Sequence, residues 1–187
     1  MTTDKIYEKN DEQQPFRFND EVAKVFPDML RRSIPGYTAT IEAIGSLAAR
    51  YVTPESNCYD LGCSLGAASI AMRQGIRPEG CRIIAVDIAA AMAERCRQIV
   101  AEDDRGSEST TPIDVREDDV RNVEIENASM VVLNYTLQFL AMSDRDELLR
   151  NIYNGLNDGG LLVLSEKVID EDEHMEELLF DLHHEHI

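Results

Sequence analysis

The segment Asp60-Leu61-Gly62-Cys63-Ser64-Leu65-Gly66 follows a short apolar run and places an acid, two glycines and a small hydroxyl residue within seven positions. Glycines at 62 and 66 let the backbone turn tightly and approach a ligand with no Cβ in the way. Asp87 ends the next apolar run, 25 residues beyond Gly62. A carboxylate there can accept bonds from both hydroxyls of a ribose held by the first turn. Asp118, Asp119 and Val120 follow a third run, an acid beside an apolar residue, suited to an adenine amino group and ring face. Asn134-Tyr135 closes a fourth. Each position alone has a plainer reading, as a turn, a helix cap or a solvated loop acid. Their recurrence at successive strand ends favours one shared nucleoside crevice.

The turn excludes some ligands. A dinucleotide fingerprint needs GxGxxG, whose middle glycine leaves room for pyrophosphate; here Ser64 holds the middle position and the spacing is GxxxG. Gly62-Cys63-Ser64-Leu65-Gly66 is also a literal GxSxG, the nucleophile elbow of α/β-hydrolases, for which His174 or His183 would have to serve as the later histidine. That elbow follows several strands, whereas the residues before Cys58 read mainly as helix. His174, His183, His184 and His186 invite a metal reading, but no second ligand group is marked elsewhere, and helix-end histidines interacting with the dipole explain them without a metal. Cys63 beside the turn is a conceivable reactive thiol. Cys58, Cys81 and Cys96 read as small core residues, and no CxxC pair exists.

These residues need a scaffold that carries strand ends to one rim. Apolar runs at Cys58–Leu61, Arg82–Val86, Ile113–Val115, Met130–Leu133 and Leu161–Leu164 alternate with helical stretches near Ala67–Gln74, Ala89–Glu102 and Ser143–Leu156. Ser143 with Asp146 predicts a capping box, and Asn157-Asp158-Gly159-Gly160 a stop before the fifth strand. Asp119–Asn127 is too short for a helix. Unalternated apolar strands separated by helices mean a parallel sheet covered on both faces: the class is α/β, doubly wound. Upstream, Val22, Val25, Phe26, Met29 and Leu30 recur at helical spacing, with Pro27 predicted to start a new helix. Ser33-Ile34-Pro35-Gly36 breaks the segment, and a second amphipathic helix runs to about Arg50 with Ile41, Ile44, Leu47 and Ala48 on one face. Residues 1–18 read as a loose arm. A last helix spans Glu171–His184.

Composition narrows the partners. In 187 residues, acids outnumber bases 36 to 18, for a net charge of −18, which repels phosphate backbones and argues against direct nucleic-acid binding. Asp170–Ile187 holds eight acids and no Lys or Arg, a solvated acidic surface. No apolar run suits a membrane span and the N-terminus carries no signal-peptide pattern, so the expected setting is cytoplasmic, with reduced thiols.

The Asp-x-Gly-x-x-x-Gly turn with Asp87 resembles the S-adenosyl-L-methionine site of class I methyltransferase-like proteins. Longer blocks are more specific: Glu21-Val22-Ala23 with Val25–Met29, Ser33–Tyr37 (SIPGY), Tyr59–Ala68 (YDLGCSLGAA), Ile125–Asn134 (IENASMVVLN), Thr136–Leu140 (TLQFL) and Leu162–Lys167 (LVLSEK). Together these resemble the bacterial carboxy-S-adenosyl-L-methionine synthases, from about Asn19 to His184. The resemblance implies a Rossmann-like sheet and conversion of S-adenosylmethionine and prephenate to carboxy-S-adenosyl-L-methionine and phenylpyruvate, without a metal. It also implies a homodimer, and a separate enzyme that uses the product to carboxymethylate a tRNA wobble uridine. Carried over by position, the ligand contacts fall on Tyr37, Gly62, Cys63, Ser64, Asp87, Ile88, Asp119, Val120 and Asn134. The turn seats the amino-acid portion, Asp87 the ribose, Asp119 and Val120 the adenine, and Tyr37 the new carboxylate; no catalytic residue is assigned. Ile88 departs from a polar family residue. The family continues past His184, so residues 19–187 are expected to form one S-adenosylmethionine-binding domain, with a helical extension over 19–53 and without the last strands of the usual seven. The missing segment carries an arginine for the carboxylate, which leaves Arg32 and Arg73 as candidates here.

Overall fold

The structure, a computed structural model, describes residues 20–106, 109, 111–168 and 172–186. The arm predicted over 1–18 lies outside them. Five strands form one sheet: β1 (Asn57–Leu61), β2 (Arg82–Asp87), β3 (Ile113–Glu117), β4 (Ala128–Asn134) and β5 (Leu156–Ser165). Their order is β3-β2-β1-β4-β5 and every pair is parallel. Helices α1 (Asp20–Ser33), α2 (Tyr37–Tyr51), α3 (Ala67–Gly75), α4 (Ala90–Asp104), α5 (Met142–Gly155) and α6 (Glu173–His186) complete the described elements, with single 3-10 turns at Val120–Asn122 and Leu137–Phe139.

Alternation along the central strands divides the core in two. Tyr59, Leu61, Ile84, Val86, Val131 and Leu133 face Leu148 and Ile152 of α5. Cys58, Ile83, Met130 and Val132 face Ile44 and Ala48 of α2 and Met72 of α3. Both faces are covered, so β1 and all but the last residue of β4 are buried throughout, as a parallel sheet requires. The chain reverses direction across the sheet between β1 and β4, and the carboxyl ends of these strands open a crevice there.

Several local expectations need correction. Pro27 does not start a helix; α1 runs unbroken through it, its face held by Phe26, Met29 and Leu30 against Leu65 and Met92. This packing offsets the backbone bond that proline cannot make. Ser143 does not cap α5, which begins one residue earlier after Ala141; its hydroxyl donates to Asp144 instead, at 2.9 Å. Asn157–Gly160 is not a turn ahead of β5 but an irregularity within it, since Leu156 pairs with Ala128 and the ladder resumes at Leu161 with Met130. The residues loop out of an edge strand, where an unpaired stretch costs little.

Helices α2 and α3 touch through bare backbone: a Cβ at Gly75 would press directly on the carbonyl of Gly45. Gly75→Ala is expected to destabilise the fold by about 1–3 kcal/mol, the scale of an overpacked core. Urea denaturation checks this, and an unchanged midpoint would refute the close approach.

Candidate functional site

The turn after β1 is built to fit under Thr136. Gly62 adopts φ 81°, and a Cβ there would collide with the Thr136 side chain, whose hydroxyl donates to the Leu61 carbonyl at 2.8 Å. The amides of Gly62 and Cys63 both donate to Val86 O, at 2.8 and 2.9 Å, so the turn is seated on the end of β2. The Asp87 carboxylate fixes the next residues. Its Oδ2 accepts from Ser64 N at 2.8 Å and its Oδ1 from Ala89 N at 2.9 Å, tying the glycine turn to the start of α4. Burial pushes this carboxyl up, opposed by the two amides. Two bonds leave the carboxylate with further acceptor capacity.

Around this turn lies a cavity of about 840 Å³, lined by all nine sequence-predicted residues: Tyr37, Gly62, Cys63, Ser64, Asp87, Ile88, Asp119, Val120 and Asn134. Its size is that of small-molecule sites. Tyr37 opens α2 after Gly36 in a left-handed conformation. Burial first, then the carboxyl of Asp60, pushes its hydroxyl up to about 12 against the pull of Arg31, so it stays protonated as a hydrogen-bond donor. Ile88 exposes 68% of its surface at the mouth, as an apolar contact.

Asp119 caps the 3-10 turn by accepting from Arg121 N at 2.9 Å. The Arg121 guanidinium grips the same carboxylate, holding it below the usual range, and reaches Asp144 at 2.7 Å. Asp119 is thus both a cap and a wall of the cavity. Asp118 is not among the lining residues and accepts from Asp119 N at 2.7 Å. Asn134 stands at the end of β4 with its Oδ1 buried and without a partner.

Other candidates fall elsewhere. The Ser64 hydroxyl lies against Met92 Sδ at 4.0 Å, and among the described residues no histidine lines the cavity, so the Ser–His contact that a hydrolase elbow needs is not among the described contacts. Cys63 is buried beside Cys96, and their hydrogen bond, with burial, lifts its thiol well above the ordinary value. It is an inert packing residue, not a reactive thiol. Arg73, 1% exposed, is spent on Asp103 and Asp104, and Arg32 pairs with Asp28 at 3.7 Å on the surface of α1. Neither lines the cavity. Among the described residues, the cations that do are Arg31, Arg121 and Lys167, and with Glu166 they escaped sequence reasoning. For Glu166 and Lys167 the signal was available, since they follow a strand end.

A five-stranded parallel sheet with this rim cavity defines a Rossmann-like domain of the methyltransferase class. Residues 59–162 match the family profile described as a methyltransferase domain. Among solved structures, a putative S-adenosyl-L-methionine-dependent methyltransferase from Methanococcus maripaludis superposes with TM-score 0.59 at 19% identity, covering 92% of this chain and 74% of that one. Magnesium protoporphyrin IX methyltransferase from Synechocystis PCC 6803 gives 0.54 at 16%, covering 78% and 75%. At such identities the likeness is one of fold. Sequence goes further: the carboxy-S-adenosyl-L-methionine synthase of Vibrio campbellii is 59% identical over 170 residues, 91% of this chain and 68% of that protein. That of Aliivibrio fischeri is 58% identical over the same length, covering 69% of it. The chain belongs to the carboxy-S-adenosyl-L-methionine synthase family, a family of enzymes.

One acid beneath the site gives a test. Asp60 is buried and accepts from Ser69 Oγ at 2.6 Å; burial nevertheless raises it from 3.8 to about 6. The folded protein therefore holds this proton more tightly than the unfolded chain. The resulting stability is present below pH 3.8 and is lost as pH rises through about 6. Asp60→Asn is expected to gain on the parent by about 3 kcal/mol between these limits, read as the difference in unfolding free energy. A difference constant with pH would contradict it.

Proposed function

We propose that the cavity binds S-adenosyl-L-methionine through the nine residues above and that the chain, with prephenate as second substrate, makes carboxy-S-adenosyl-L-methionine and phenylpyruvate. The observation that carries the reading is the convergence of those residues on one cavity in a chain of this family. Asp87 supplies its remaining acceptor capacity to the ribose hydroxyls, the glycine turn seats the amino-acid portion, and Asp119 with Val120 frames the adenine. Loss of the prephenate carboxyl group and hydroxyl aromatises its ring and releases carbon dioxide and hydroxide. Hydroxide removes a proton from the sulfonium methyl to give water and an ylide, whose carbon attacks carbon dioxide and becomes the carboxymethyl group. Atoms and charge balance without a side-chain base or a metal.

Tyr37, held neutral, donates to the new carboxylate but accepts no proton. Arg31 and Lys167 line the same cavity without an ion-pair partner among the described residues, which fits a site that takes a dianionic second substrate. The apolar side chains that α6 exposes (Met175, Leu178, Leu179 and Leu182) support a homodimer. A net charge of −18 fits an enzyme that works in the cytoplasm on small molecules and leaves tRNA to a separate carboxymethyltransferase.

Incubation with S-adenosylmethionine and prephenate, followed by mass analysis, tests the reading. The expected products are phenylpyruvate and an adenosyl compound heavier by one carbon dioxide. S-adenosylhomocysteine with a methylated acceptor would identify an ordinary methyltransferase instead, and binding without turnover a module that only holds the ligand.

A further inference from the structure

Among the described residues, three buried side-chain atoms lack a hydrogen-bond partner, and two of them belong to residues that line the cavity: Asn134 Oδ1 and Glu166 Oε2. The third, Arg73 Nε, lies away from it. Asn134 pairs with Ser165 across β4 and β5, and Tyr135 N donates to Ser165 O at 2.8 Å, so the two side chains stand at the ends of neighbouring strands. Glu166 is anchored, since its Oε1 accepts from Leu137 N at 2.6 Å, which leaves Oε2 aimed where no protein donor meets it. Both orphaned atoms are acceptors. A buried acceptor left unmet is costly, so the pair calls for a donor from the ligand.

Which donor follows from charge, given the ligand under Proposed function, on which this step rests. The sulfonium carries no N–H or O–H. The ribose hydroxyls face Asp87 and the adenine amino group faces Asp119. The second substrate is anionic and would be repelled by a carboxylate. What remains is the α-ammonium of the amino-acid portion, which has three donors and a positive charge. We propose that Glu166, on the same cavity as Asn134, is the residue that binds this ammonium and so selects adenosyl ligands bearing an intact amino acid.

Calorimetry with two ligands tests it: S-adenosylmethionine, and its 2-oxo analogue in which a keto oxygen replaces the amino group. The full chain is expected to prefer the former by about tenfold or more, the scale of a charge-assisted bond. Glu166→Gln keeps an acceptor for Leu137 N–H but turns an NH2 towards the ammonium. It is expected to lose about tenfold in affinity for S-adenosylmethionine while its affinity for the analogue stays within about threefold. Equal losses for both ligands would make Glu166 a purely structural residue, and no loss would remove it from the site; either overturns the proposal. Should the variant fail to fold, a preference of the unaltered chain below about threefold does the same. Binding of neither ligand to the unaltered chain would instead strike the functional reading itself, an outcome distinct from those above.

Discussion

The site depends on one carboxylate that joins two turns. Asp87 accepts from Ser64 N and Ala89 N through different oxygens, and thereby locks the loop after β1 to the loop after β2. Ser64 sits at φ 51°, a left-handed conformation that a non-glycine residue adopts only when its surroundings hold it. The Asp87 bond supplies that hold from one side, and the Val86 carbonyl, taking two amides, supplies it from beneath. Without this brace the glycine turn has no fixed relation to the acid that stands beside it.

The sheet provides the larger constraint. Because all five strands are parallel, their carboxyl ends share one rim. Gly62, Asp87, Asp119, Asn134 and Glu166 stand at or just beyond the ends of β1, β2, β3, β4 and β5 in chain order. Helix α1 then roofs the cavity through Phe26, Met29 and Leu30. The rim separates its charges. Arg121 is occupied by Asp119 and Asp144, which leaves Arg31 and Lys167 for anions, while the capacity Asp87 keeps beyond its two backbone amides and the buried acceptors of Asn134 and Glu166 remain for donors. A zwitterionic, sulfonium-bearing ligand together with an anionic substrate matches that arrangement.

Much of this was legible in the residues. Strands buried on both faces announce themselves as unbroken apolar runs, and a glycine turn between strand and helix marks where a ligand can come close. Helix-period patterning likewise placed α2 and its buried face of Ile44 and Ala48. What stayed hidden depends on tertiary partners. Pro27 reads as a breaker because its cost is local while the packing that offsets it is not. Asn157–Gly160 has turn composition, but pairing with β4 on either side makes it a bulge. Arg73 looked available until Asp103 and Asp104, thirty residues on, were found to enclose it. Cys63 is a conceivable reactive thiol from its place beside the turn, and only its burial against Cys96 of α4 shows why it is not. Glu166 follows a strand end, as the other rim residues do, but its orphaned oxygen is visible only in three dimensions.

The most direct measurement is the affinity of S-adenosylmethionine for Asp87→Ala by titration calorimetry. If the brace at Asp87 both shapes the turn and meets the ribose, binding weakens by about 1–3 kcal/mol, the worth of a hydrogen bond to a charged group. Unchanged affinity would mean that the ligand lies elsewhere, and that the rim built around this carboxylate is not the binding site.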